Sequence, residues 1–288
     1  MNYSTSKIMK YLLIFQLLIC PLAMSEMINY HIDFTDVCST TEQETLKNIL
    51  QKSMGSKIEE IKDLLNNPET LAIEISGLEL VQETKKKQIF LAFSELLGTL
   101  MVQNPNENNL ITCIYDKGSV NSFAHHNEEI PFHTDGAFLA VPPRVIGIWV
   151  EQTANQGGET ALINISSLLQ EIENDSLSIL NQPLPFHIHD SYHLPNTAPY
   201  ILATPISSNQ MRFRLDLLLK GVEESNEITH KEDVVTAIYS LNQLINECSE
   251  KSCFLMKTDH LYFFNNYYNL HNRESFTGDR KIWRTWIN

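Results

Sequence analysis

Two side chains able to share a metal ion, His133 and Asp135, open the run 131–160, PFHTDGAFLAVPPRVIGIWVEQTANQGGET. On an extended backbone, positions two apart face the same way, so an imidazole and a carboxylate there can grip one ion. A third donor must come from elsewhere in the chain. His271, in NNYYNLHNRESFTGDRKIWR near the C-terminus, offers one. Two histidines and one carboxylate make the facial set that suits non-heme Fe(II), leaving coordination positions open for chemistry. The pair alone is a weak signal, since His-x-Asp arises often by chance. His31 and Asp33 repeat it on a candidate first strand, and we read that copy as incidental.

The company of the first pair separates it from the second. FHTDGAF is followed by PPR, by GGET, and far downstream by NN-x4-HNR and an Arg-x-x-x-Arg. In this order, over about residues 70–288, the motifs resemble the taurine dioxygenase (TauD/TfdA) family of Fe(II)- and 2-oxoglutarate-dependent oxygenases. The match is sharpest over 131–160 and 259–286.

The resemblance implies that His133, Asp135 and His271 bind Fe(II). Neutral imidazoles and one carboxylate would leave a positive centre where 2-oxoglutarate chelates and O2 takes the last position. It further implies cleavage of 2-oxoglutarate to succinate and CO2 while a C–H bond of a small-molecule substrate becomes an alcohol. Relatives that halogenate carry a small residue at position 135, so an aspartate there favours hydroxylation. Thr160, which ends GGET, matches a threonine that helps hold the co-substrate. Arg280 and Arg284 are four apart and would face one pocket from an extended strand. Arginine's planar fork suits a carboxylate. By motif similarity Arg280 is the first choice for the 2-oxoglutarate anchor, with Arg284 assisting or contacting substrate, and the two roles are exchangeable. Two other classes fit the triad alone: a non-catalytic metal-binding jelly-roll module, and a zinc hydrolase. Neither needs an anchor for a dicarboxylate.

Other residues carry weaker signals. His187, His189 and His193 have metal-like spacing in a region that varies within the family and lies near the site. His125 and His126 precede the ligand loop and read as loop histidines. Phe138 reads as a core aromatic, Arg273 as a brace for its loop, and Asp259 and Asn266 as turn residues or supports for the distal ligand. Gly157 and Gly158 read as the tight turn before the next strand.

The elements that must hold these groups are legible as periodicity. A strand over 27–34 precedes a helix opened by Thr41-x-x-Glu44 and running towards Leu65. A strand over 71–80 and a helix from Thr84 through Leu97 follow. After the polar stretch 103–109 come short β-type runs at 110–115, 144–151, 160–165, 200–219 and 254–266. One clear helix interrupts them, from about Thr229 to Glu247, with Thr229-x-x-Glu232 as its capping box. Helices leading into many short strands predict a mainly β chain with flanking helices, a double-stranded β-helix (jelly roll).

Composition narrows the function classes. A formal net charge of −14 argues against nucleic acid and anionic lipid as partners. It favours a neutral or cationic small molecule over a polyanion. Cys20, Cys38, Cys113, Cys248 and Cys253 show no zinc-type spacing and read as scattered thiols, although Cys248 and Cys253 could pair in an oxidising compartment. Residues 1–25 place Lys7 and Lys10 before an apolar run, 11–24, and a small-residue exit. That is the order of a secretory signal. The run is shorter than the ~20 apolar residues of a comfortable membrane span. The alternatives are an over-extended start, with Met24 or Met27 as initiator, or an extra apolar helix. The expected organisation is a leader or over-extended start over 1–25 and a single oxygenase domain over 26–288. The location would be cytoplasmic if the start is over-extended and exported if the leader is a signal. Nothing in the sequence sets an oligomeric state.

Overall fold

A computed structural model of the chain describes residues 26–34, 37, 43–118, 125–193 and 197–288. The leader and Thr41 lie outside these residues. In chain order the strands are β1 Glu26–His31, β2 Thr70–Ser76, β3 Leu100–Met101, β4 Ile111–Tyr115, β5 Ile130–His133, β6 Val145–Gln152, β7 Gln156–Gly157, β8 Thr160–Asn164 and β9 Leu184–His187. They continue with β10 Tyr200–Ala203, β11 Ile206–Ser207, β12 Gln210–Met211, β13 Ser252–Phe254, β14 Leu261–Asn265, β15 Asn269–Arg273, β16 Phe276–Thr277 and β17 Lys281–Ile287. The helices are α1 Gln43–Asn66, α2 Glu83–Leu97, α3 Ser166–Leu169, α4 Asn174–Leu180, α5 Leu215–Glu224 and α6 Lys231–Glu247.

Two sheets face each other. The larger runs β1-β2-β14-β6-β17-β3, with β4 also paired to β17, and the smaller runs β13-β8-β15-β5. Strict alternation of side chains lets each strand of the larger sheet serve two cores. On β14, Leu261 and Phe263 face the helices while Tyr262 and Phe264 face the interior between the sheets. On β17, Trp283 and Ile287 go outward while Ile282 and Trp286 go inward.

The outward face is covered by α1 and α2. Along α1 the buried residues are Leu46, Leu50, Met54, Ile58, Ile61 and Leu65, three or four apart, so one stripe meets the sheet. Phe90 and Phe93 of α2 pack their rings against Phe263, at centroid distances of 6.3 and 5.6 Å. On the far side α5 and α6 cover the smaller sheet, with Leu218, Ile238 and Leu241 buried against Ile163, Phe186 and Leu270. This is the helix-flanked jelly roll that the sequence predicts.

Three local expectations change. The run 200–219 is not one strand: β10, β11 and β12 end by Met211, and Leu215 to Glu224 is helical because Leu217, Leu218, Gly221 and Val222 form a buried helical stripe. Gly221 sits where an added Cβ would lie 2.2 Å from the Pro185 carbonyl oxygen, so the helix can seat directly on β9. Two further helices, α3 and α4, also lie within the stretch read as β-rich. At α6 the residue preceding the first turn is His230, not Thr229, and no side chain caps it. Cys113, Cys248 and Cys253 are free thiols. Among the described residues no helix is long and apolar enough to cross a membrane.

Candidate active site

β5 and β15 run antiparallel with His133 directly opposite His271. The two imidazoles come within 4.2 Å, centroid to centroid. Asp135 completes the cluster: one donor atom from each of the three residues lies within 4.8 Å of the others. Among the described residues this is the one such group of three. Asp135 does not extend the strand, as the two-residue spacing suggests; β5 ends at His133 and Asp135 lies in the following turn. The turn is fixed by distant side chains. Asn266 accepts the Asp135 N–H at 2.8 Å and donates to the Asp135 and Pro143 carbonyls at 3.0 and 2.9 Å. The Thr134 hydroxyl receives the N–H of Phe213 at 3.0 Å.

The protonation states suit a cation. His133 places Nδ1 2.9 Å from the Pro131 carbonyl, so Nδ1 carries a hydrogen and Nε2 is the ring nitrogen turned towards Asp135. Burial pushes the His271 imidazole down to about 3, with His133 and Arg284 adding and Asp135 opposing, so it is neutral. Its Nδ1 is buried without a hydrogen-bond partner. Burial alone would raise the Asp135 carboxyl, but the Arg284 guanidinium and the two histidines hold it well below the usual carboxylate range. An ionised carboxylate and a neutral imidazole, as at Asp135 and His271, are forms that bind Fe(II).

Asp135 also accepts from β17. Arg284 donates to both of its oxygens at 3.0 Å, and the Trp286 indole N–H reaches one of them at 3.0 Å. Residues 280, 282, 284 and 286 share one parity, which puts Arg284 and Trp286 on the inward face of β17. Arg280 precedes the strand and is 8% exposed. Among the described residues it makes no hydrogen bond or ion pair to the protein; its nearest ring is Phe276, at 5.8 Å. Burial and the neighbouring Arg273 lower it to about 10, still a cation at neutral pH. The Thr160 side chain is buried at the start of β8.

All of these groups line one cavity of about 660 Å³: His133, Asp135, His271, Thr160, Arg280 and Arg284. Gly157 and Gly158 adopt positive φ, 72° and 78°, in the turn that delivers Thr160. A Cβ on Gly157 would lie 2.2 Å from the Ser275 carbonyl oxygen, so this turn needs glycine.

The secondary candidates separate. His187 is buried against Glu224, at 2.7 Å, His189 lines the cavity, and His193 is exposed, so the three do not form a metal cluster. Phe138 is buried yet also lines the cavity, with Tyr192 against it at 4.9 Å. His125 lines the cavity as well. Arg273 donates to the carbonyls of His126 and Glu128, bracing that loop, and Asp259 pairs with Lys86 at 2.8 Å in a turn of positive φ. Sequence reasoning misses Trp286, although its parity with Arg284 is a usable signal. It also misses Gln103 and Tyr192, which carry none.

The cavity reverses the expectation drawn from net charge. Among the described lining residues, Lys87, Lys117, Arg214, Arg273, Arg280 and Arg284 face only Glu107 and Asp135 as carboxylates. An acidic surface encloses a basic site.

Residues 45–286 match the family model described as taurine catabolism dioxygenase TauD, TfdA family. The chain belongs to the TauD/TfdA family. It is an Fe(II)- and 2-oxoglutarate-dependent dioxygenase, an oxidoreductase that uses both as cofactor and co-substrate. No curated protein matches it by sequence. Among solved structures it is similar to an asparagine oxygenase in complex with Fe(II), 2S,3S-3-hydroxyasparagine and succinate (TM-score 0.69, 12% identity, covering 90% of this chain and 93% of that one). It is also similar to the non-heme iron oxygenase OrfP in complex with Fe and alpha-ketoglutaric acid (TM-score 0.66, 15% identity, 91% and 94% coverage). OrfP in complex with Fe, succinate and (3S)-hydroxy-L-Arg superposes as well (TM-score 0.67, 13% identity, 90% and 94% coverage). These likenesses lie in the fold.

Proposed function

We propose that this dioxygenase hydroxylates a C–H bond of a small amino acid or related carboxylate, with His133, Asp135 and His271 as the Fe(II) ligands. Arg280, with Thr160, receives the far carboxylate of 2-oxoglutarate. The observation that carries this reading is the buried, partnerless cation at Arg280 in the same cavity as the three-residue cluster. A buried guanidinium without a counter-charge is costly, and a dicarboxylate anchored at the metal by its other end removes that cost. A zinc hydrolase or a bare metal-binding module gives Arg280 nothing to do.

When bound, Fe(II) and 2-oxoglutarate supply the oxidising chemistry with O2; the protein supplies placement and exclusion of water. Asn266 fixes the backbone of Asp135, and Arg284 and Trp286 orient its carboxylate. Phe138, Tyr192 and His189 form an aromatic wall across the cavity. The basic lining remains net positive after one dicarboxylate is bound, which supports a substrate that carries a carboxylate of its own. The amino-acid products in the similar structures agree with that chemistry.

The test is anaerobic titration of the protein with Fe(II) and then 2-oxoglutarate, followed by the weak visible metal-to-ligand charge-transfer band. The band should appear in wild type and be lost in Arg280→Ala at the same co-substrate concentration. Its absence from wild type would remove the site. Succinate release against a panel of L-amino acids and simple carboxylic acids then tests the substrate class. A panel that triggers none, with the band intact, would overturn that part alone.

A further inference from the structure

Gln103 lies in the polar stretch after β3, far in sequence from every residue of the site, yet it is buried and lines the cavity. Its carboxamide is held at both ends by Arg284. The oxygen accepts the Arg284 Nε–H at 2.9 Å, and the amide nitrogen donates to the Arg284 backbone carbonyl at 2.7 Å and to that of Leu110 at 3.4 Å. Its backbone is fixed as well: the N–H bonds the Asn109 carbonyl at 3.0 Å, and the carbonyl receives the Tyr192 hydroxyl. Every polar group of Gln103 is thus engaged, leaving its side chain one rotamer.

We infer that Gln103 is a positioning residue for the metal centre: it clamps the Arg284 guanidinium in the orientation that delivers Nη1 to both oxygens of Asp135. This inference rests on the proposal that Asp135 binds Fe(II). A guanidinium sits on a flexible stem, and without a fixed acceptor at Nε only the contact with Asp135 would hold its plane. Gln103 supplies that acceptor without charge, so it orients Arg284 without competing with Asp135 for it. Groups that orient metal ligands typically contribute a factor of about 10–100 to affinity or activity. The Tyr192 contact ties the same clamp to the aromatic wall over the cavity.

Four proteins test this: wild type, Gln103→Met, Gln103→Glu and Arg284→Lys, with the double variant Gln103→Met/Arg284→Lys. Fe(II) affinity and the position of the charge-transfer band are measured for each. Gln103→Met should lower Fe(II) affinity about 10-fold and shift the band. Gln103→Glu keeps an acceptor for Nε–H but adds a charge that competes with Asp135 for Arg284. It also replaces the donor that faces the Arg284 and Leu110 carbonyls, so it too should lower Fe(II) affinity and shift the band. If Gln103→Met does not fold, the Gln103→Glu protein still reads the clamp through its band position, which should be shifted from wild type. In the Arg284→Lys background, where no Nε–H exists, Gln103→Met should add less than about 2-fold, the mark of two residues acting as one unit. Equal losses from Gln103→Met in both backgrounds, or a Gln103→Glu protein with wild-type affinity and band, would overturn the clamp. A wild type without the band would instead overturn the metal-site proposal, so the two failures are distinguishable.

Discussion

Arg280 and Arg284 are four residues apart, share one parity, and open onto one cavity, yet their surroundings are opposite. Arg284 donates to Asp135 and Gln103, while Arg280 donates to no described residue. Arg284 is therefore part of the protein's own framework around the cluster, and Arg280 is held in reserve for something absent from the chain. The difference teaches which charge in a basic pocket is waiting for a ligand. Residue type does not distinguish them; the partner does.

The sharpest way to break the comparison is to give Arg284 the isolation of Arg280. Asp135→Ala should abolish Fe(II)-dependent succinate formation. It should also destabilise the protein by about 3–5 kcal/mol, because it leaves a largely buried guanidinium without its carboxylate. Denaturant melts of the metal-free protein read the second effect separately from the first. Next in size is Arg280→Met. It should weaken 2-oxoglutarate binding by roughly 2–5 kcal/mol, on the order of a hundredfold, as loss of a buried charge partner does. The same change should stabilise the ligand-free protein by about 1–3 kcal/mol, since a largely buried charge without a counter-charge is removed. Opposite signs in the melts of Asp135→Ala and Arg280→Met are the core of the distinction, and equal signs would end it.

Thr160→Val sharpens the Arg280 side. Losing one neutral hydroxyl should raise the dissociation constant of 2-oxoglutarate by about 1 kcal/mol, roughly fivefold, with little change in Fe(II) affinity.

The last effect is one of pH. His271 is neutral in the fold down to about 3, whereas an unfolded histidine protonates near 6.5. Between these values the unfolded chain binds the extra proton, so stability of the metal-free protein should fall as pH drops from about 6.5 towards 3. His271→Gln should flatten that slope in acid-titrated melts; an unchanged slope would place the acid sensitivity elsewhere.

Much of the site is legible in the amino-acid sequence. The proposed ligands His133, Asp135 and His271 are readable because metal ligation demands particular side chains, and those residues occur in a recognisable order. The strands of the larger sheet are readable because alternation is written residue by residue, as in Leu261 to Phe264. The helix at Leu215 to Glu224 is not, since a short run such as LDLLL satisfies either period until it is known that Gly221 lets it lie on β9. Gln103 is invisible for a different reason: a glutamine among asparagines in a polar stretch carries no local sign of a task 181 residues away.

By itself, then, the sequence determined the residue types of the proposed ligands, the jelly-roll alternation, the glycine turn before Thr160 and the shared parity of the two arginines. Those properties depend on covalent neighbours and on the two-residue repeat of a strand. Only the tertiary structure decided that Asp135 sits in a turn pinned by Asn266, that Arg284 serves Asp135, that Arg280 is left without a partner, and that an acidic chain encloses a basic cavity. Each of those depends on which strand passes opposite which, across separations of 131 residues for Asn266 and 149 for Arg284, and local periodicity carries no record of that.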